Sequence, residues 1–196
     1  MATMTTTKPD ATGRKLITAE ELLELHSKGV RGELIRGEFC ETMSAGQEHG
    51  EVVFNLGIEV GSFVKLGKLG RMMGSDSGVL LGREPDTVRE PDIAFFASEK
   101  FQRGERVTGY SEVVPDLVVE VASPSDSRFG VFDKAQMWLW HGVRLVWTVY
   151  PNLRVIDVHR QDHSMVRLTE DDFLDGLDVL PGFTYAVKEV FDSLDA

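Results

Sequence analysis

The 196-residue chain contains a single cysteine, Cys40. No internal disulfide can form, so packing and hydrogen bonding must hold the fold, and the expected compartment is a reducing cytoplasm. Cys40 lies in an apparent strand and reads as a small buried residue. Long apolar runs are also missing: none approaches the ~20 residues that span a bilayer, so no membrane partner is expected. The Thr-rich start, Met1 to Lys15, has no apolar stretch and reads as a disordered tail, not a secretory signal. No Pro/Gly/Ser-rich linker and no internal repeat follows it. The expected organisation is therefore a disordered tail over 1–17 and a single domain over 18–196.

An excess of positive charge is the third absence. The formal net charge is -11, which argues against loose, non-specific adhesion to DNA. The acid is unevenly spread. Residues 161–196 set Arg167 and Lys188 against nine acids, a balance of -7, which leaves -4 for residues 1–160. Between Arg128 and Arg160, five Lys/Arg face two Asp, a local +3.

Hydrophobic and charged residues make up 42% and 27% of the chain, an ordinary globular balance. Thr18 and Glu21 have capping-box spacing ahead of Leu22, Leu23 and Leu25, which predicts a helix over Thr18–Ser27. Glu33 to Met43 reads as two short strands around Arg36-Gly37. A second helix is expected over Glu48–Lys65, with Val52, Val53, Leu56, Val60, Phe63 and Val64 on one broad face. Short strands are expected at Arg71–Gly74, Gly78–Leu81 and Pro91–Ala97, and a loop over Phe101–Val114. Pro115–Ala122 is the clearest central strand. Ser123–Ser127 turns into a helix over Gly130–His141. Strands at Val143–Val149, Leu153–His159 and Met165–Leu168 precede a closing helix at Val187–Leu194. The order implies a mixed sheet flanked by helices.

Two strands carry carboxylates on a shared period. Asp92, Ala94 and Phe96 fall on one face, as do Asp116, Val118, Glu120 and Ala122. Glu120 sits inside Leu-Val-Val-Glu-Val, where a lone carboxylate is costly to bury, so it requires a partner, a metal or a proton. Two such carboxylates on neighbouring strands suit a hard cation that keeps several waters, Mg²⁺ or Mn²⁺. Lys134, beside the stripe Val131, Ala135, Trp138, lies where it can reach toward Glu120. Plainer readings stand beside these: a helix lysine is commonly a solvated charge, and Asp92 after Pro91 a strand-start turn residue.

Pro91-Asp92, Asp116-Leu-Val-Val-Glu120-Val and Lys134 on a helix resemble the PD-(D/E)xK nuclease superfamily. The wider chain, from about Thr18 to Phe191, resembles one branch, the Uma-two family of restriction-endonuclease-like proteins. The segments that carry the likeness are Gly32–Glu38, Glu48-His-Gly50, Val88–Phe95, Pro115–Ser125, Asp133-Lys134, His141–Trp147 and Leu180–Phe183. The resemblance implies an α/β fold of the restriction-endonuclease-like kind, with a mixed central sheet between helices. It implies Asp92 and Glu120 as metal ligands for Mg²⁺ or Mn²⁺ and Lys134 as the catalytic lysine. Glu33 and His49 match an assisting glutamate and a histidine at a helix start; an exposed hairpin residue and a first-turn packing histidine are the alternatives. Ala122 stands where the superfamily pattern places its lysine, so Lys134 must serve from the helix. Tyr150-Pro151 replaces an Asp-Pro turn of the branch.

Other signals carry less. Gly74–Gly78 lacks the Lys-Ser/Thr helix of a phosphate loop. Ser123 and Ser125 have no His-Asp partners, and His159 with His163 straddle a strand end and do not form a zinc pair. The tryptophans Trp138, Trp140 and Trp147 read as core or interface residues. The expected function is metal-dependent endonucleolytic cleavage of nucleic acid, with DNA as the expected partner and a homodimer as the expected assembly. The rival is a nuclease fold kept as an interaction module.

Overall fold

A computed structural model describes residues 15–195. The tail expected over 1–17 therefore falls, up to residue 14, outside the described residues. The described chain groups into two compact units, and it passes between them five times. That explains why no linker is legible in the sequence.

The smaller unit comprises residues 15–44, 78–90 and 106–113. Its helix α1 (Ala19–Ser27) starts at the predicted capping box: Thr18 Oγ1 accepts the Glu21 N–H and the Glu21 carboxylate accepts the Thr18 N–H. Strands β1 (Gly32–Ile35) and β2 (Glu38–Glu41) form the expected hairpin. Arg36 and Gly37 both hold positive φ, at 54° and 81°, the geometry whose twist suits a two-residue turn. With β4 (Val79–Gly82) and β5 (Thr87–Arg89) they make an antiparallel sheet in the order β2-β1-β5-β4. Ala19, Leu22, Leu34, Leu80 and Val88 form its core, with Ile17, Phe39 and Tyr110 packed on it. Cys40, expected to be buried, is only half-buried, because β2 is an edge strand with a neighbour on one side only.

The larger unit comprises residues 45–77, 91–105 and 114–195. Its sheet contains β3 (Gly70–Gly74), β6 (Ile93–Ala97), β7 (Leu117–Val121), β8 (Leu145–Tyr150), β9 (Val155–Arg160) and β10 (Met165–Leu168), in the order β10-β9-β8-β7-β6-β3. Only β7 and β8 are parallel; every other neighbouring pair is antiparallel. A parallel pair needs a crossover, and helix α3 (Arg128–Trp140) supplies it. Helix α2 (Gln47–Gly67) covers the opposite face, burying Val52, Leu56, Val60 and Val64 against Ile93, Phe95, Val119 and Trp147. Burying side chains of this size contributes ~1.5–3 kcal/mol each, so the row fixes α2 firmly. This is the predicted mixed sheet with helices on both faces.

A small antiparallel pair, β11 (Phe173–Asp175) and β12 (Thr184–Ala186), is legible in the structure but not in the sequence. The closing helix α4 (Val187–Phe191) is shorter than expected and tightens into a 3₁₀ turn over Asp192–Asp195. Among the described residues no helix is long and apolar enough to cross a membrane.

Candidate active site

The β7–α3–β8 crossover lays α3 over the sheet face that carries Glu120. Ser127 caps α3 by accepting the Gly130 N–H, and the Ser123 N–H donates to Asp126 Oδ2, so the intervening turn is tightly specified. Val131, Ala135, Trp138 and Leu139 are the buried side of the helix. Lys134 and Trp138 lie one turn apart, on a shared helix face. Both reach Glu120. Lys134 Nζ stands 2.8 Å from Glu120 Oε2, and Trp138 Nε1–H donates to Glu120 Oε1 at 2.7 Å. Glu120 is 5% exposed, and a cation and a neutral donor are among the groups that meet its charge. The solvated-surface reading of Lys134 is excluded, since its ammonium is committed to a buried carboxylate.

Asp92 directly precedes β6. Ile93 pairs with Val119, and extending that antiparallel register by one residue sets Asp92 opposite Glu120. Directly opposed residues have Cβ atoms ~4.5–5.5 Å apart. Asp92 Oδ2 accepts the Val121 N–H at 2.7 Å, which pins the carboxylate at the end of β7. His49, in the first turn of α2, places Nε2 3.3 Å from the same Oδ2. Its pKa is raised, chiefly by that bond to Asp92, while burial opposes the shift and the charges of Asp126 and Glu120 support it. Among the described residues Asp92 Oδ1 accepts no hydrogen bond.

The register continues as a polar row across the sheet: Glu120 beside Thr148, Thr148 beside Asp157, Asp157 beside Arg167. Asp157, 3% exposed, is clasped by Arg167 through two bonds of 2.7 Å. Thr148 Oγ1 lies 3.0 Å from His159 Nε2. Neither Trp138 as a partner of Glu120 nor this row is legible from strand spacing. The signal for Trp138 was its i+4 offset from Lys134.

Glu33 belongs to the smaller unit. It is buried, accepts the Glu90 N–H at 2.7 Å and stands 3.4 Å from Arg89 Nη2. The exposed-hairpin alternative is therefore wrong for it. His26 lies in the same unit, between Tyr110 Oη at 3.2 Å and the Gly32 carbonyl at 2.9 Å.

Among the described residues no group of three or more His, Cys, Asp and Glu side chains is arranged to hold a metal ion. A zinc centre needs three or four protein ligands, whereas Mg²⁺ needs only one or two carboxylates and keeps its waters. The open Oδ1 of Asp92 and the carboxylate oxygens of Glu120 fit that second donor set.

The mixed sheet between helices is that of a restriction-endonuclease-like fold, with Glu120 on β7, Asp92 just ahead of β6 and Lys134 reaching Glu120 from α3. Residues 19–188 match the family described as "Uma2: Putative restriction endonuclease", and the chain belongs to that family. A solved structure described as a "putative nuclease belonging to DUF820" from Anabaena variabilis superposes with a TM-score of 0.79 at 20% identity, covering 91% of this chain and 99% of that one. At that identity the likeness speaks for the fold. No curated protein is detectably similar in sequence.

Proposed function

We propose that the protein is a metal-dependent endonuclease that hydrolyses phosphodiester bonds of nucleic acid, with DNA as its substrate. The observation that carries the reading is the convergence of Lys134 on Glu120, with Asp92 opposite Glu120 in the strand register. In this reading Asp92 and Glu120 would hold Mg²⁺ or Mn²⁺. When bound, the ion would supply an activated water and charge neutralisation at a phosphate. Membership of a family described as "Putative restriction endonuclease" supports the same reading.

The side chains divide the remaining work. Trp138 and Lys134 fix the two oxygens of Glu120, so that its orientation is set before substrate arrives. The Lys134 ammonium offers N–H donors to a water or to the negative charge that grows on phosphate oxygen. The Val121 N–H and His49 hold Asp92 Oδ2 and leave Oδ1 without a hydrogen bond among the described residues. Glu33, matched by the resemblance to an assisting glutamate, holds Arg89 and the Glu90 amide within the smaller unit.

Incubation with plasmid and with single-stranded DNA in Mg²⁺ and in Mn²⁺ tests the reading. Wild type should cleave, and Asp92→Ala should lose at least ~10²-fold, the scale of one catalytic group. Equal activity in the two proteins would refute it. One observation favours an interaction module instead: both Glu120 oxygens already accept strong bonds within the fold. That module would bind nucleic acid or protein without cleaving and would not need a metal.

A further inference from the structure

The larger unit contains a cavity at the other end of β6 from Asp92. It has a volume of about 650 Å³ and is lined by the last turns of α2, the start of β3 and the segment after β6. Four of its lining residues are cations, Lys65, Lys68, Arg71 and Arg103, and none is an acid. Asp92 precedes β6 and Ser98 follows it, so the strand separates the two sites by ~20 Å.

On a chain of net charge -11 this concentration needs a reason. The basic stretch from Arg128 to Arg160 is largely spent inside the fold: Lys134 on Glu120, Arg144 on Asp116 and Asp178, Arg154 on Glu170. The cavity cations are not. Among the described residues Lys65, Lys68 and Arg103 make no ion pair. The nearby Glu105 carboxylate accepts the Gln102 N–H instead of turning to them. Arg71 lies with its guanidinium 3.9 Å over the Phe101 ring and donates Nη2–H to the Glu105 carbonyl at 3.0 Å, so its orientation is set and its charge stays uncancelled.

The backbone builds the floor. A Cβ on Gly70 would lie 1.9 Å from the Phe96 carbonyl oxygen; only glycine lets β3 approach β6 this closely. Lys68 ends α2 in the left-handed region, at φ 53°, which turns the chain sharply into β3. Like charges gathered on a rigid concave surface repel one another, and an anionic ligand relieves that repulsion.

We infer that this cavity is a binding site for phosphate groups, separate from the Asp92–Glu120 centre and requiring no metal. Three unpaired cations and one stacked guanidinium suit a ligand with several phosphates close together. Two sources share that chemistry: the backbone of a nucleic-acid strand and a free polyphosphate such as a nucleoside triphosphate. The volume accommodates a nucleotide-sized group.

Binding to the full chain is measured in EDTA, where metal-dependent cleavage is silent. The probes are a short fluorescein-labelled DNA single strand and inorganic triphosphate. The triple variant Lys65→Ala/Lys68→Ala/Arg103→Ala should bind about tenfold more weakly or worse, and the slope of log affinity against log salt should flatten by ~2, at ~0.7 per lost single-strand phosphate contact. Lys65→Arg/Lys68→Arg should keep the affinity, and an unchanged urea midpoint would show that the triple variant is folded. Loss of DNA binding alone in the triple variant assigns the site to a nucleic-acid backbone. Loss of triphosphate binding as well assigns it to phosphate chemistry in general, free ligand included. Unchanged affinity of the triple variant for both probes, or no binding of either by wild type at low salt, overturns the inference. The readout is binding without metal, so failure of the cleavage reading and failure of this one give different results.

Discussion

Replacing Lys134 by methionine removes an ammonium from the centre of the site and keeps most of the stem's volume. What remains is the Glu120 carboxylate, 5% exposed, with the Trp138 indole at 2.7 Å and its opposite charge gone. Breaking a buried pair by deleting one partner costs about 3–5 kcal/mol. The Lys134 side chain is 26% exposed, so water takes over part of its role, and the expected loss is ~1.5–3 kcal/mol. For a chain of this length ~2 kcal/mol lowers Tm by about 4–8 °C. The decisive comparison is the double variant Lys134→Met/Glu120→Gln. Its amide oxygen still accepts from Trp138 and no buried charge is left, so stability should recover, with a coupling of ~1–2 kcal/mol between the two changes. Urea unfolding followed by tryptophan fluorescence reads this directly, because Trp138, Trp140 and Trp147 all lie in the unit that holds the site. Additivity within ~0.5 kcal/mol would refute the claim that Lys134 neutralises Glu120.

Asp92→Ala should abolish the calorimetric signal of Mn²⁺ binding, while Arg128→Ala, on the exposed start of α3, should leave it intact; equal binding by both would remove Asp92 from the ligand set. Gly70→Ala should yield insoluble or severely destabilised protein, since its Cβ would meet a backbone oxygen at 1.9 Å; a soluble variant with a wild-type urea midpoint would disprove the close approach. His159 is fully buried and its pKa is lowered, first by burial, with Asp157 opposing. The unfolded chain takes up a proton near pH 6.5 that the folded chain resists, so this contribution to stability is complete above about pH 6.5 and is lost as pH falls below it, by at most ~1.4 kcal/mol per unit. Between about pH 7 and pH 5, wild type should therefore lose more stability than His159→Gln, and parallel urea profiles would count against the burial of a neutral imidazole.

Local signals were legible where chemistry and geometry are local. The Thr18–Glu21 box placed α1, and Arg36-Gly37 placed the first hairpin, because two adjacent positive-φ residues are a property of the turn itself. The period of Leu-Val-Val-Glu-Val gave both the interior position of β7 and the anomaly of Glu120. Short strands without alternation were harder. Phe173–Asp175 and Thr184–Ala186 are three residues each, and their pairing depends on a partner about ten residues away. The split between two sheets was also invisible. Arg71–Gly74 and Gly78–Leu81 read as neighbours in sequence, but β3 pairs with β6 and β4 with β5. A chain that leaves and re-enters a unit several times writes no linker.

The position of the lysine follows from topology rather than from sequence distance. Ala122 shares the face of Glu120 but lies beyond the last residue of β7, where its N–H already serves the Val149 carbonyl. A lysine there would hang from the strand's end. The β7–α3–β8 crossover offers a firmer mount, because a parallel pair forces a helix across the face that carries Glu120. Two side chains one helical turn apart then meet one carboxylate from above, a cation on Oε2 and an indole on Oε1. Each restrains the rotamer that the other needs, so orientation and charge are set by the same element. Lys134 thereby reaches Glu120 from the helix with Trp138 as a fixed neighbour on the same carboxylate.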